Sequence, residues 1–148
     1  MSHSFSKVYL HLVFSTKFRE DILPKYKLKE IHSYVAGTLK EKQCVPLAVG
    51  GTTNHIHIFY VQPRSIAMSE IVRHVKSNSS KWISENICPF NWQKGYGIFS
   101  VSPSHVERVK TYIHNQEQHH AVGITYKDEF RRIAKKYNIE IDEKYAWD

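Results

Sequence analysis

The chain has 148 residues, 41% hydrophobic and 24% charged, which suits one soluble domain with an ordinary core. No apolar run approaches the ~20 residues of a membrane span, and the start lacks a basic stretch followed by an apolar one, so a cytoplasmic protein with no membrane partner is expected. Cys44 and Cys88 have neither zinc-ribbon nor disulfide-framework spacing, and the net charge of +7 fits a polyanionic partner or simply a solvated basic surface.

From Lys7 to Lys17, Val8, Leu10, Leu12 and Phe14 alternate with the period of a strand. After Pro24, Leu28, Ile31, Val35 and Leu39 recur at helical spacing, and the helix fades before Cys44 and Pro46. "PLAVGG" reads as a short strand, and Gly50 to Asn54 turn into the stretch "TTNHIHIFYVQP", residues 52 to 63. A second helix is expected from about Ile66 to Glu85, with Ile71, Val72, Val75, Trp82 and Ile83 inward. "CPFNWQKG" is a loop and Tyr96 to Val101 a strand; Ser104 with Glu107 then forms a capping box for a helix running to about His120. Thr125 and Asp128 open a last helix with the stripe Phe130, Ile133, Ala134 and Tyr137, and "NIEIDEKYAWD" has no pattern that places it. The order matches a ferredoxin-like, α+β arrangement, also the topology of RRM modules: one antiparallel sheet with helices packed on it and a C-terminal helical extension, in a single domain over residues 1–148.

The histidine strand carries the first chemical signal. In extended chain, side chains at i and i+2 leave one face, so His55 and His57 point together while Ile56, Ile58 and Tyr60 enter a core. Two such histidines are either structural or part of a metal shell. The second signal is in "VERVKTYIHNQEQHH": Tyr112 and Gln116 lie one helical turn apart, a hydroxyl that can act as nucleophile and an amide oxygen that can ligate a hard cation. Both also have an ordinary reading as packed and solvated side chains. His119 and His120 at the helix end are read as complements to the macrodipole, and His11 carries no spacing signal.

"NHIHIF" resembles the paired-histidine motif of the HUH endonucleases, and "YIHNQ" resembles the tyrosine helix of their single-tyrosine branch, the small transposases of insertion sequences that move as single-stranded DNA. "HLVFSTKFRE", "HVKSNSSKWI" and "WQKGYGIFSVSPS" are similar to further stretches of those transposases, in the same order. The resemblance implies the HUH endonuclease fold, with His55, His57 and Gln116 as ligands of a divalent metal, Mg²⁺ or Mn²⁺, and Tyr112 as the nucleophile. It further implies cleavage and rejoining of single-stranded DNA through a 5′-phosphotyrosine, hairpin recognition at element ends, and a homodimer in which the tyrosine helix completes the partner's site. Arg73, Lys76, Lys81 and Lys94 are the candidate phosphate contacts. A replication-initiator or relaxase-like nicking enzyme and a non-catalytic RRM-like nucleic-acid-binding module are the alternatives. No residue is singled out as general base.

Overall fold

The computed structural model describes residues 3–148. Four strands, β1 (Val8–Ser15), β2 (Val45–Gly51), β3 (His55–Gln62) and β4 (Gly97–Val101), form one sheet in the order β2-β3-β1-β4. Every neighbouring pair is antiparallel, which is the ferredoxin-like order. Helices α1 (Leu28–Glu41) and α2 (Met68–Asn86) cover one face, and α3 (Val106–His114), α4 (Gln116–Ala121) and α5 (Tyr126–Lys136) belong to the other.

Strand alternation divides the core between these faces. Leu10, Leu12 and Phe14 of β1 and Ile56, Ile58 and Tyr60 of β3 pack with Ile31, Val35 and Leu39 of α1 and Ile71, Val75 and Ile83 of α2. Helix α1 has no side-chain cap at its start, so the stripe holds it. A good cap contributes ~1 kcal/mol, whereas each fully buried Leu, Ile or Val contributes about 1.5–3 kcal/mol.

The second face receives His11, Val13, His55, His57 and Phe59, and here Gly50 has a specific task. It pairs with His57 across β2 and β3. A Cβ on it would overlap the carbonyl oxygen of Ile113 and sit 2.9 Å from the Ile113 Cγ2, so the missing side chain lets α3 lie directly on the sheet.

Two local expectations change. Ser102, rather than Ser104, provides the cap: its Oγ accepts from the Ser104 backbone N–H at 3.4 Å, Pro103–His105 forms a 3₁₀ turn, and α3 begins only at Val106. The helix expected to reach His120 is divided at Asn115 into α3 and α4. Thr125 does cap α5, accepting from the Asp128 N–H at 3.2 Å. The C-terminal segment is placed by packing: Trp147 joins Val13, Phe99 and Tyr126 in an apolar cluster, and the Trp147 carbonyl accepts from Arg19 Nη1 at 2.5 Å.

Candidate active site

His55 and His57 are buried, at 1% and 0% exposure, on the sheet face covered by α3–α5. The divided helix still presents both Tyr112 and Gln116 to them. Gln116 Oε1 lies 2.9 Å from His55 Nε2, while its Nε2 donates to Glu129 Oε2 at 2.9 Å. The Tyr112 hydroxyl donates to the same Glu129 oxygen. The other, Glu129 Oε1, faces the Nε2 atoms of His57 at 3.1 Å, His120 at 3.0 Å and His55 at 3.3 Å. One chain thus brings all four expected residues together.

Glu129 is the member that sequence reading missed, although a signal existed. It lies on the buried stripe of α5 with Tyr126 and Ala134, where a carboxylate needs a partner. Burial pushes its carboxyl pKa up, but hydrogen bonds from His120, His55 and His57 outweigh burial and hold it well below the usual carboxylate range. Its place in the first turn of α5 adds the favourable end of the helix dipole. Tyr112 is shifted the opposite way: burial first, then the Glu129 charge, raise its pKa, so the resting phenol keeps its proton.

His120 does not act merely on a helix end. Its Nδ1 lies 2.6 Å from the Ile124 carbonyl oxygen and its Nε2 3.0 Å from Glu129, two acceptors that a doubly protonated ring satisfies. Burial lowers its pKa, but the Glu129 hydrogen bond and charge prevail and raise it. His11 also belongs to the network: its Nε2 is 2.7 Å from His57 Nδ1. Burial lowers the pKa of both rings, that of His11 to about 3, so this pair is neutral and shares one proton along the contact.

The donor set fits a divalent cation. The Asn54 amide is oriented by Nδ2 donating to the Arg19 carbonyl, which leaves Oδ1 facing His55 Nδ1 at 2.8 Å. His55 Nε2 meanwhile faces the oxygens of Gln116 and Glu129. Thr52 Oγ1 also lies 3.0 Å from Nδ1, and a proton on Nδ1 directed at the Asn54 oxygen leaves Nε2 bare, the tautomer that a cation on the Nε2 side would need. His55, His57 and Glu129 each offer a ligand atom within 4.8 Å of the others. The spacings of 2.9–3.3 Å among Gln116, Glu129 and the two imidazoles match the roughly 3 Å edges of an octahedron with ~2.1 Å bonds. Nitrogen and oxygen donors without thiolate suit Mg²⁺ or Mn²⁺ better than structural zinc.

The expected phosphate contacts lie elsewhere. Helix α2 packs on the opposite sheet face, so Arg73, Lys76 and Lys81 are separated from Tyr112 by the sheet. Lys94 lies in the loop before β4 and lines a cavity of about 410 Å³ with Arg73 and Lys76. Lys76 is committed structurally: its ammonium donates to the carbonyls of Gln93 at 2.7 Å, Lys94 at 3.0 Å and Gly95 at 2.8 Å, and burial lowers its pKa to about 8. Its three donors are used in holding that loop.

A family model described as "Transposase IS200 like" matches residues 4–116, a stretch that includes His55, His57, Tyr112 and Gln116 and stops before Glu129. Among solved structures, a candidate transposase from Deinococcus radiodurans R1 superposes with a TM-score of 0.64 at 16% identity, over 78% of this chain and 95% of that one. A REP-associated tyrosine transposase bound to a REP hairpin gives 0.61 at 12% identity, over 81% of this chain and 73% of its own. Curated protein sequences give no match. With the family model spanning most of its length, the chain belongs to the IS200-like transposases.

Proposed function

We propose that this transposase cuts and rejoins single-stranded DNA through a 5′-phosphotyrosine, with Tyr112 as nucleophile and His55, His57 and Gln116, joined by Glu129, as the residues that hold Mg²⁺ or Mn²⁺. The observation that carries the proposal is the convergence of a half-buried tyrosine hydroxyl on two imidazoles, an amide and a carboxylate that are buried. In the reaction, the Tyr112 oxygen forms a bond to phosphorus and the bond from phosphorus to the 3′ oxygen breaks, leaving a free 3′-hydroxyl. Glu129 Oε2 accepts from the Tyr112 hydroxyl and so orients the phenol; the phenolic proton is lost as the bond to phosphorus forms, and the departing 3′ oxygen takes one up. A divalent cation would polarise the phosphate and offset its developing charge. Return attack by a 3′-hydroxyl on the phosphotyrosine rejoins a strand without ATP.

The DNA is read as a hairpin beside an unpaired stretch, in line with the hairpin-bound transposase of similar fold. The covered sheet face disfavours the RRM-like alternative, since Phe59 and Phe99 are at 0% and 4% exposure and offer no open platform for stacking bases.

The test is incubation with labelled single-stranded DNA from the flanks of the gene, resolved on denaturing gels. Wild-type protein is expected to form a covalent adduct when Mg²⁺ or Mn²⁺ is supplied, and Tyr112→Phe to bind the strand and form none. An adduct that persists in Tyr112→Phe moves the nucleophile elsewhere, and an adduct at full yield in chelator removes the cation from the reading.

A further inference from the structure

We infer that the cavity walled by β4, α3 and α5 seats the DNA backbone beside the bond that is cut, and that Arg108, Arg132 and Lys136 hold its phosphates. The inference rests on the reading of Tyr112 as a nucleophile toward single-stranded DNA. The cavity measures about 510 Å³, and Tyr112 and Glu129 form part of its wall. That volume falls within the ~300–1,000 Å³ typical of small-ligand sites, room for roughly one nucleotide unit next to the hydroxyl.

A place in the cavity wall together with the lack of a carboxylate partner sets the three cations apart. On the same helices, Lys110 pairs with Glu107 at 3.5 Å, and Arg131 pairs with Asp128 at 3.1 Å and Glu143 at 2.7 Å. Arg108, Arg132 and Lys136 are exposed and have no carboxylate within 4.0 Å among the described residues. Glu129 is the carboxylate in the cavity wall, and it is already hydrogen-bonded to imidazoles, Gln116 and Tyr112. The wall therefore presents uncompensated positive charge around a candidate nucleophile. In the same wall, His119 Nε2 is a buried nitrogen without a hydrogen-bond partner among the described residues.

Arg132 and Lys136 stand one turn apart on α5, about 6 Å along the axis, and Arg108 faces them from α3. Val101, Val109 and Ile133 supply apolar wall between the cations, a surface on which sugar and base faces can rest. An anionic polymer with apolar faces, threaded past a tyrosine hydroxyl, is a single nucleic-acid strand. Both α5 cations lie beyond residue 116, where the family match ends.

The test uses the full chain carrying Tyr112→Phe, so that binding is read without cutting. Fluorescence anisotropy with labelled oligothymidylate, and with a labelled strand from the gene's flank, is followed across a salt series. Each of Arg108→Gln, Arg132→Gln and Lys136→Gln should reduce the slope of log affinity against log salt by about 0.7, and the triple variant by about 2. Arg132→Lys and Lys136→Arg should restore the slope, and Arg131→Gln, at a paired arginine outside the wall, should leave it unchanged. Circular dichroism confirms that the variants fold. A folded triple variant with unchanged slope overturns the inference, whatever the adduct assay shows. If wild-type protein forms no adduct while the triple variant still loses slope, the strand-cutting reading fails and the cavity remains a strand-binding site.

Discussion

A histidine can ligate only through a bare nitrogen, and the other ring nitrogen decides which one is bare. For His57 that decision belongs to His11, whose Nε2 lies 2.7 Å from His57 Nδ1. Without a cation, the Nε2–H of His57 donates to Glu129 and Nδ1 accepts from His11. Ligation through Nε2 requires the proton on Nδ1, donated to His11. We predict that His11→Ala lowers Mn²⁺ affinity by about 10–100-fold, the usual cost of removing such an orienting partner. Calorimetric titration checks this, and unchanged affinity would reduce His11 to a packing residue. His55, His57, Tyr112 and Gln116 are legible in the sequence because their spacings, two and four residues, are those of one strand and one helix. His11 and Glu129 reach His57 across separations of 46 and 72 residues, for which local periodicity carries no signal. His11 becomes readable only once β1 is known to lie beside β3, and Glu129 only if a carboxylate on an apolar stripe is taken as a demand for partners.

Among the elements, α3 must approach the sheet closely enough for Tyr112 to meet the histidines, and Gly50 permits it. Alanine there would overlap main chain rather than the far end of a side chain, so relief requires moving the helix. Overpacking of this kind costs about 1–3 kcal/mol. Gly50→Ala should lower the stability read from urea unfolding by that amount and slow adduct formation as Tyr112 retreats. Adding Ile113→Ala should not restore either, because the carbonyl oxygen remains. Full stability in Gly50→Ala would show that α3 already has slack. The same element illustrates what patterning could and could not supply. The strands and α1, α2 and α5 follow from periodic apolar residues that pack as the pattern demands. The start of α3 does not: the capping-box spacing lies at Ser104 and Glu107, but Pro103 just after Ser102 opens a 3₁₀ turn that makes Ser102 the cap. The tail had no period to read, since Trp147 is placed by tertiary contact with Phe130 and Val13.

At the scale of the whole molecule, excision and rejoining require two strand breaks, and each chain offers one tyrosine in the matching motif, so two chains acting together remain our proposal. What the fold bears on is how the sites are shared. Tyr112 meets Glu129, and Gln116 meets His55, within a single chain. Residues 102–105, between β4 and α3, span at most about 14 Å when fully extended. Exchange of α3 between subunits would therefore need the partner's sheet within that reach, and would have to re-form the contact at Gly50. The prediction is that Tyr112→Phe protein co-refolded with His57→Ala protein stays inactive. In the cis arrangement, one site lacks its nucleophile and the other lacks a ligand. With exchanged helices, one site of every mixed dimer would combine intact His55 and His57 from the first chain with intact Tyr112 and Gln116 from the second, and strand cleavage would return. Mixed dimers are verified with two affinity tags before assay on labelled single-stranded DNA. Recovered cleavage would establish exchange and show that the single-chain site is one of two arrangements of α3, whereas a monomer in sedimentation at working concentration, with DNA present, would remove the dimer itself.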